Sequence, residues 1–403
     1  MNEITFIHAA DLHLDSPFIG LKSLPEQLLK MIKEAPFLAF KKMIDQAISR
    51  NVDFVLLAGD LYDGADRNLK TQVMLRKQME RLNEHGIQVY VIHGNHDHLD
   101  GNWVSIDQPD NVHVFPSYFE MKQFTKKGTT VNIYGYSYPS QHVKERIIHS
   151  YNKIVGANYH IGMLHGSVEG EKEHSPYAPF HLEELLEKDF DYWALGHIHK
   201  RQQLAVSPPI IYPGNIQGRN KKEIGVKGCY QVTLDGKQAS LEFIPTSQIV
   251  WEEKTLTIDE DDQFDQCLQK CRLAVKSFQQ ASFHVLLQIK LINHSQHIRF
   301  EQFKEELLEL LQLEEASSGN NVYPYAIILL EEQNNHLQQN PLISMLNNYE
   351  WTERDVNEAI QSLYKHPLGR KYISSLTMDE KQELVGEARK LLAIQLARGG
   401  MKY

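Results

Sequence analysis

The chain has 403 residues, of which 42% are hydrophobic and 23% charged, a composition typical of a globular protein. This length suits two or three domains and excludes a small disulfide-stabilised scaffold, which the three cysteines are also too few to support. No apolar run approaches membrane-spanning length, and the first predicted strand begins at Ile4, which leaves no room for a signal peptide. We therefore expect a cytoplasmic protein with no membrane-embedded part.

The formal net charge of −10 argues at first against a nucleic-acid partner. The charge is uneven, however: residues 1–245 carry 29 acidic and 26 basic side chains, whereas residues 246–403 carry 23 and 16. Two divalent cations bound in the first part would bring its balance to about +1. Acidity is therefore no strong objection to a substrate that carries phosphate.

The first hundred residues alternate apolar strands with helices. Strands are predicted over residues 4–10, 52–58 and 87–92, a helix over 25–50 with a break at Pro36, and a second helix over 67–85. Helical crossovers of this length predict at least partly parallel strands. Short strands then predominate, over residues 112–115, 131–138, 159–164, 190–195, 210–212, 229–234 and 240–244. We therefore predict an α/β fold, a two-sheet α/β sandwich up to about residue 245.

The rest of the chain predicts two further domains. Residues 246–345 are expected to form a small α/β cap domain, with strands over 254–258, 283–291 and 326–330, helices over 261–278 and 299–312, and a loop at 317–321. Residues 346–403 have no strand pattern. Thr352 with Asp355, and Thr377 with Glu380, are start signals for two amphipathic helices, the second ending at Gly399-Gly400. The predicted domains are thus 1–245, 246–345 and 346–403.

Five predicted strands of the first domain end in side chains that bind metal ions. These side chains are Asp11, His13, Asp60, Asn95, His165, His197 and His199. Carboxylate, amide and imidazole ligands suit Mn²⁺, Fe²⁺ or Zn²⁺, and the lack of cysteine argues against a structural zinc site. Seven ligands are too many for one ion and suit two, with Asp60 the best candidate to bridge them. The alternative is that these are five unrelated turns, since turns are rich in Asp and Asn. It accounts for any single junction but not for all five in one chain.

These motifs resemble a known family. In chain order they are Asp11-x-His13, Gly59-Asp60-x-x-Asp63, Gly94-Asn95-His96-Asp97, His165-Gly166 and Gly196-His197-x-His199. Over residues 1–245 this series resembles the calcineurin-like metallophosphoesterases. The opening HAADLHLDSPF, the stretch DYWALGHIHK with the later YPGN, and the added domains resemble more narrowly the SbcD/YhaO-like DNA-repair exonucleases. The last two domains match in architecture more than in motif.

The resemblance implies two divalent metal ions, with Mn²⁺ the expected metal. One ion would be held by Asp11, His13, Asp60 and His199, and the other by Asp60, Asn95, His165 and His197. His96 would be the catalytic histidine and Asp97 its orienting partner. The chemistry agrees, because two cations can activate water and hold the charge of phosphoryl oxygens while a histidine that is not a ligand protonates the leaving 3′ oxygen.

Two positions depart from the family pattern. Asp63 stands where related nucleases often carry a second histidine, and Asn215 follows Tyr-Pro-Gly where serine is usual. These departures bear on substrate handling and on a phosphate contact. Close behind, the basic residues Arg219, Lys221 and Lys222 are candidates to contact a nucleic-acid backbone. A solvated charged loop is the equally weighted alternative.

Three functions fit this sequence. The resemblance favours a two-metal phosphodiesterase acting on DNA ends, an exonuclease whose C-terminal helices dock an SMC-like coiled-coil ATPase; single-strand endonuclease activity and a homodimer are left open. A phosphatase or phosphodiesterase for nucleotides or other small phosphate esters would use the same site. The third function is a non-catalytic assembly subunit, which the complete ligand set and His96 weigh against. The cap domain favours a polymer as the substrate.

Overall fold

The fold was analysed in a computed structural model, which describes residues 3–16, 24–64, 67–101, 104–170, 177–236, 238–279, 282–295, 298, 300–318, 320–330 and 351–365, with single positions and short runs at 345, 349, 376 and between 381 and 392. The chain divides into two compact units, Met1–Ile328 and Leu329–Tyr403. In the described part, no helix is both long and apolar enough to cross a membrane.

The described residues alternate strands and helices along most of the chain. The elements are β1 (Ile4–Ala9), α1 (Glu26–Ser49), β2 (Phe54–Ala58), α2 (Leu69–Glu84), β3 (Gln88–Ile92), β4 (Val112–Val114), β5 (Glu120–Lys126), β6 (Thr129–Gly135), β7 (Tyr159–His165), α3 (Leu182–Leu186), β8 (Tyr192–Gly196), β9 (Gln202–Val206), β10 (Pro209–Tyr212), β11 (Gly228–Asp235), β12 (Gln238–Pro245), β13 (Ile249–Ile258), α4 (Phe264–Lys276), β14 (His284–Asn293), α5 (Phe300–Ser318), β15 (Val322–Leu330) and α6 (Glu353–Lys365). A 3-10 helix spans Ile147–Ser150.

Two six-stranded sheets form the body of the first unit. The first has the strand order β12-β11-β1-β2-β3-β4, and the second β5-β6-β7-β8-β10-β9. Strands β1 to β4 pair in parallel, as do β6, β7, β8 and β10, while β11, β5 and β9 join antiparallel. The predicted two-sheet α/β sandwich is confirmed.

Strand β2 shows how the layers pack. Val55 and Leu57 belong to the hydrophobic cluster that includes α1 and α2, whereas Phe54 and Leu56 belong to the cluster shared with the second sheet. Successive side chains of a strand point to opposite faces, so a strand covered on both faces is apolar throughout. A third cluster, around Trp193, covers the outer face of the second sheet. The order of layers is therefore helices, sheet, sheet and an outer layer of loops and short helices.

Helix α1 corrects one prediction. We expected a break at Pro36, but the helix runs unbroken from Glu26 to Ser49 with Pro36 inside it. A proline inside a helix removes one backbone hydrogen bond. Here Pro36 is buried, as are its neighbours Ala35 and Ala39. Burial of this apolar face against the rest of the unit holds the helix together across the proline.

A smaller sheet, β13-β14-β15, follows the sandwich. Strand β13 pairs in parallel with β14 over ten residue pairs. Cys267 and Cys271 of α4 are buried free thiols. Strand β15 begins at Val322, earlier than predicted, and includes Pro324, which an edge strand tolerates. The bounds of the three predicted domains stay a prediction.

Helix α6 begins where the sequence predicts. The Thr352 hydroxyl donates to Asp355 Oδ2 over 2.7 Å, and the Asp355 N–H donates back to the Thr352 hydroxyl over 3.3 Å. This reciprocal cap satisfies backbone groups at the helix start. The second start signal, Thr377 with Glu380, and the stop at Gly399-Gly400 lie outside the described residues.

Candidate metal centre

The predicted ligands meet at one edge of the sandwich. Each follows, or ends, one of five parallel strands: β1, β2 and β3 in the first sheet, and β7 and β8 in the second. The carboxyl ends of parallel strands are where α/β sheets place their sites. Asp11, His13, Asp60, Asn95 and His165 are buried, whereas His197 and His199 are partly exposed. The structure therefore brings all seven side chains together. The site they form is open to solvent on the side of His197 and His199.

One group of donor atoms lies around Asp11, His13 and His199. One ligand atom from each of these three lies within 4.8 Å of the others. His13 Nε2 is 3.1 Å from His199 Nε2, and Asp11 Oδ1 is 4.0 Å from the same His199 atom. Asp60 Oδ2 stands 3.7 Å from His13 Nε2. Imidazole nitrogens and carboxylate oxygens that face one another at these distances match the donor set of a divalent metal ion.

A second group shares Asp60 with the first. Asp60 Oδ2 is 3.4 Å from His165 Nε2. Asn95 Oδ1 is 3.1 Å from that nitrogen and 3.1 Å from His197 Nδ1. Asp60 thus lies between the two groups, where a carboxylate can serve two ions at once. The Asp11 carboxylate accepts the His197 backbone N–H over 3.0 Å and ties the groups together.

Close approach of the strand ends depends on glycine. A Cβ atom on Gly94 would collide with Asp60 Oδ1 and with the ring of His165. At Gly196 it would collide with the Ala58 carbonyl. These glycines stand directly before candidate ligands of β3 and β8, so the motifs need glycine for space.

The buried charges of this edge are strongly coupled. Burial lowers the pKa of His13 to about 3, helped by the nearby Arg219 charge. Burial also opposes protonation of His165, but the Asp60 carboxylate beside it raises the pKa of His165 to about 9. A proton on His165 therefore balances Asp60 in the metal-free chain. A bound cation would take over that role, because metal binding displaces protons from its ligands.

Comparison with known proteins agrees with this geometry. The family described as "Calcineurin-like phosphoesterase" matches residues 4–201, the stretch that carries all seven donors. The "Uncharacterized metallophosphoesterase YhaO" of Bacillus subtilis (strain 168) is 40% identical over 404 residues, covering 98% of both chains. The chain belongs to the calcineurin-like metallophosphoesterases.

More distant relatives are also similar. The "DNA double-strand break repair protein Mre11" of Sulfurisphaera tokodaii is 28% identical over 267 residues, covering 62% of each chain. Its namesake from Sulfolobus acidocaldarius is 24% identical over 307 residues, covering 70% of this chain and 74% of the relative. The metallophosphoesterase family implies divalent metal ions, and the convergent donors around Asp60 fit such ions. The assignment of each side chain to a particular ion stays a prediction.

His96 stands at the exposed side of the metallophosphoesterase site. Its side chain is 39% exposed, and its ring centroid is 4.9 Å from that of His13. The backbone N–H of His96 donates to Asp60 Oδ1 over 3.0 Å, and its Nδ1 lies 3.1 Å from the Asp63 carbonyl oxygen. His96 is thus fixed beside the donor groups with its ring accessible to a substrate.

Asp97 differs from expectation. Its carboxylate accepts the N–H groups of Leu61 and Gly94, over 2.9 and 2.7 Å, and lies 2.9 Å from His93 Nδ1. The expected hydrogen bond to the His96 side chain is not among those of the described residues. Asp97 follows His96 directly, and its buried side chain turns inward to hold the loop that carries Asn95. The hydrogen-bond contact to His96 Nδ1 comes from the Asp63 carbonyl instead.

Two residues outside the predicted ligand set join the centre, Asp63 of the Gly-Asp-x-x-Asp motif and Glu223, which the sequence did not single out. Asp63 Oδ1 lies 2.8 Å from His13 Nδ1 and 2.6 Å from an Arg219 guanidinium nitrogen. Glu223 Oε1 lies 2.7 Å from His199 Nδ1. Burial raises the pKa of Glu223, but the contacts from His199 and Arg219 outweigh burial and hold that pKa well below its ordinary range. Glu223 reaches the site from a loop that follows no strand-end motif, so the pattern that predicts the ligands could not find it.

Asp63 and Arg219 also determine whether a third metal ion could bind at the site. His13, Asp63 and His96 are close enough to hold a third ion. The Arg219 guanidinium beside Asp63 already neutralises that carboxylate, which disfavours another cation there. Arg219, predicted as a contact to nucleic acid, therefore has an ion pair inside the protein, whereas Lys221 and Lys222 are exposed.

Proposed function

We propose that this chain is a two-metal phosphodiesterase that acts on DNA ends. The observation that carries the proposal is the convergence of seven donors from five strands, with Asp60 Oδ2 only 3.7 Å from His13 Nε2 and 3.4 Å from His165 Nε2. Such a pair of sites suits displacement at phosphorus. Similarity to proteins named for DNA double-strand break repair supports DNA as the substrate.

Asp11, His13, Asp60 and His199 would hold one ion, and Asp60, Asn95, His165 and His197 the other. Mn²⁺ is the metal we propose, with Fe²⁺ and Zn²⁺ as alternatives, because the donors are nitrogen and oxygen without sulfur. When bound, the ions would supply the charge that activates water and stabilises the phosphoryl oxygens. The chain's own task is to hold the donors in place, which the burial of Asp60 and His165 favours.

His96 is proposed to protonate the leaving 3′ oxygen. It is no member of the two proposed ligand sets, its ring is accessible, and the Asp63 carbonyl lies at hydrogen-bond distance from Nδ1, which would leave Nε2 to face the substrate. A positioned histidine of this kind is a common general acid. Asp97 would support His96 only indirectly, by fixing the loop through Leu61 and Gly94.

The same chain is proposed to work in the cytoplasm beside an SMC-like coiled-coil ATPase. The amphipathic helices after residue 350 would dock that partner, and a homodimer is compatible with this arrangement. The small sheet supports a polymer substrate, because its strand β13 is hydrogen-bonded to the loop that carries Arg219. The exposed Lys221 and Lys222 would contact the DNA backbone there, with Arg219 beside them held by its ion pair with Asp63.

The deciding experiment compares three substrates with Mn²⁺. A linear end-labelled duplex should be degraded, a closed circle of the same sequence should resist, and a small chromogenic diester should be cleaved slowly. Equal turnover of circle and linear duplex would contradict action at ends. Turnover of the small ester alone would favour a small-ester phosphodiesterase, and no turnover of any substrate would favour an assembly subunit.

A further inference from the structure

Glu223 is a largely buried carboxylate that contacts the candidate ligand His199. It is not itself a proposed ligand. Its side chain is only 10% exposed, and Oε1 lies 2.7 Å from His199 Nδ1. Its other oxygen, Oε2, accepts the side-chain amide of Asn215 and the backbone N–H of Arg219, each over 2.7 Å. Both carboxylate oxygens are therefore used, and the side chain has one direction available.

The loop around Glu223 is fixed from both sides. Gln217 donates to the Ile249 carbonyl over 2.6 Å and accepts the Gln248 N–H over 2.8 Å. After Glu223, the Gly225 N–H donates to the Trp251 carbonyl over 2.9 Å. The start of β13 thus holds the loop at residues on either side of Glu223. A carboxylate anchored in this way can impose an orientation on the ring that it contacts.

We infer that Glu223 is a positioning residue that sets the tautomer of His199 for metal binding. A carboxylate can only accept, so the 2.7 Å contact places the proton of a neutral His199 on Nδ1. Nε2 is then left with a free electron pair, directed at the group where His13 Nε2 stands 3.1 Å away. Arg219 Nη2 also lies near Nδ1, but at 3.4 Å it is the weaker neighbour.

This inference rests on the proposed metal centre and adds a residue to it. Carboxylates that orient ligand histidines typically change metal affinity by ~10–100-fold when they are lost. Glu223 contacts one ligand of one proposed ion, His199, and does not touch Asn95, His165 or His197 among its hydrogen bonds in the described chain. Its loss should therefore weaken one of the two ions selectively.

Glu223→Gln is the sharpest test because the amide has nearly the same shape. Its oxygen is expected to stay with the two donors from Asn215 and Arg219, which turns the NH₂ group toward His199 Nδ1. That group donates, so the His199 proton moves to Nε2 and blocks the ligand atom. Glu223→Ala leaves only a space, in which water can accept a hydrogen bond from the Nδ1–H group. We expect Gln to weaken the affected ion more than Ala, although Ala should lower the melting temperature more.

The measurement is a Mn²⁺ titration by calorimetry, together with histidine ¹⁵N spectra of the metal-free protein, in which His199→Ala identifies the His199 signals. We expect one of two Mn²⁺ sites to weaken ~10–100-fold in Glu223→Gln, with the Nδ1 proton lost. Glu184→Gln is the matched control, since Glu184 Oε1 lies 2.8 Å from His149 Nε2 in an outer layer of the fold. It should leave both Mn²⁺ affinities unchanged.

Three results would overturn the inference: unchanged Mn²⁺ affinities with an unchanged His199 tautomer, equal weakening of both ions, or a larger loss in Ala than in Gln. Should Glu223→Gln fail to fold, Glu223→Ala decides by the same criterion of selective weakening. A wild-type chain that binds fewer than two Mn²⁺ would instead contradict the proposed metal centre. The tautomer comparison in metal-free protein would then still test Glu223.

Discussion

Backbone strain marks the candidate ligands. Asp11, His13, Asp60 and His197 have φ angles of 53°, 42°, 53° and 100°, in the left-handed region that residues with a side chain seldom adopt. Such conformations cost on the order of 1–3 kcal/mol each and persist only where their surroundings enforce them. Here the Asp11 N–H donates to the Gly59 carbonyl and the His13 N–H to the Asp60 carbonyl, over 3.1 and 3.0 Å. The two strand ends thus hold each other in the strained conformation that turns the donors inward.

His96→Ala separates catalysis from metal binding. Because His96 is assigned as an acid and contacts the donors only through its backbone and ring edge, we expect two Mn²⁺ to remain bound while phosphodiester cleavage falls ~10²–10⁴-fold. Asp60→Asn is the matched comparison, because the shared carboxylate should cost metal occupancy itself. Metal analysis after dialysis distinguishes the two. Wild-type turnover by a metal-replete His96→Ala protein would remove this histidine from the mechanism.

At the scale of single elements, strand β1 contains a buried histidine that should make the fold sensitive to acid. His8 is fully buried, with Nδ1 2.9 Å from the Tyr192 hydroxyl and Nε2 3.1 Å from the Leu195 carbonyl. Burial lowers the pKa of His8 to about 3, although the Leu195 contact opposes the shift. The unfolded chain therefore binds a proton below about pH 6.5 that the folded chain refuses until about pH 3.

The stability of the folded chain therefore falls as the pH falls. As pH falls from 6.5 towards 3, His8 removes folding free energy at up to about 1.4 kcal/mol per pH unit. His8→Gln should be less stable than wild type at pH 7.5, and the gap should narrow at pH 5.5 because the variant lacks this proton linkage. Urea denaturation at both pH values measures the gap, and the other histidines, common to both proteins, cancel. Parallel losses in the two proteins would refute the assignment.

The loop after Asn215 divides into two kinds of basic residue. Arg219 is paired with Asp63, while Lys221 and Lys222 are exposed. Replacing both lysines with glutamine should lower the salt dependence of DNA binding by about one unit of log–log slope per lost contact and leave cleavage of a small diester intact. Arg219→Gln should reduce small-diester cleavage as well, because it disturbs Asp63 beside His13. An unchanged salt slope for the lysine variant would identify the pair as solvated surface.

The sequence predicts those strands that are buried on both faces of a sheet. Strands β2 and β7 are buried along their whole lengths, and their apolar runs are visible in the sequence. Strand β5 was not predicted, because Glu120–Lys126 is polar and only partly buried at the edge of its sheet. The break predicted at Pro36 was wrong because tertiary packing outweighs one lost hydrogen bond.

The site shows the same division. Its proposed ligands follow strands, so their positions in the sequence predict a common edge. The Arg219–Asp63 contact joins residues 156 apart, and no local pattern encodes it. The direction of the Asp97 side chain, inward to His93 rather than to His96, likewise depends on the folded loop.

At the scale of the whole first unit, the small sheet is attached to the sandwich at two places. Leu24, Ile32 and Ala35 of α1 and its approach pack in one hydrophobic cluster with Trp251 and Leu286. The loop around Glu223 supplies the other attachment, through the Trp251 carbonyl. The small sheet is therefore held beside the loop whose Glu223 contacts His199.

The candidate site and the C-terminal helices belong to different units, which allows their separation by truncation. All seven proposed ligands and His96 lie within Met1–Ile328, whereas α6 and the helical positions between 381 and 392 lie within Leu329–Tyr403. We predict that a chain ending at residue 345 folds, binds two Mn²⁺ and cleaves a small diester like the full chain. It should no longer co-purify with an SMC-like ATPase.

Two substitutions in the second predicted C-terminal helix provide a matched control for this truncation in the full-length chain. Leu384 and Leu392 are each 39% exposed. In the sequence they form an apolar stripe at helical spacing with Val385, Ala388, Leu391 and Leu396. Leu384→Glu with Leu392→Glu should abolish ATPase binding and leave diester cleavage unchanged, because docking helices bind through apolar anchors. An insoluble truncation would favour internal packing of the stripe, and undiminished complex formation by both proteins would exclude docking through these helices.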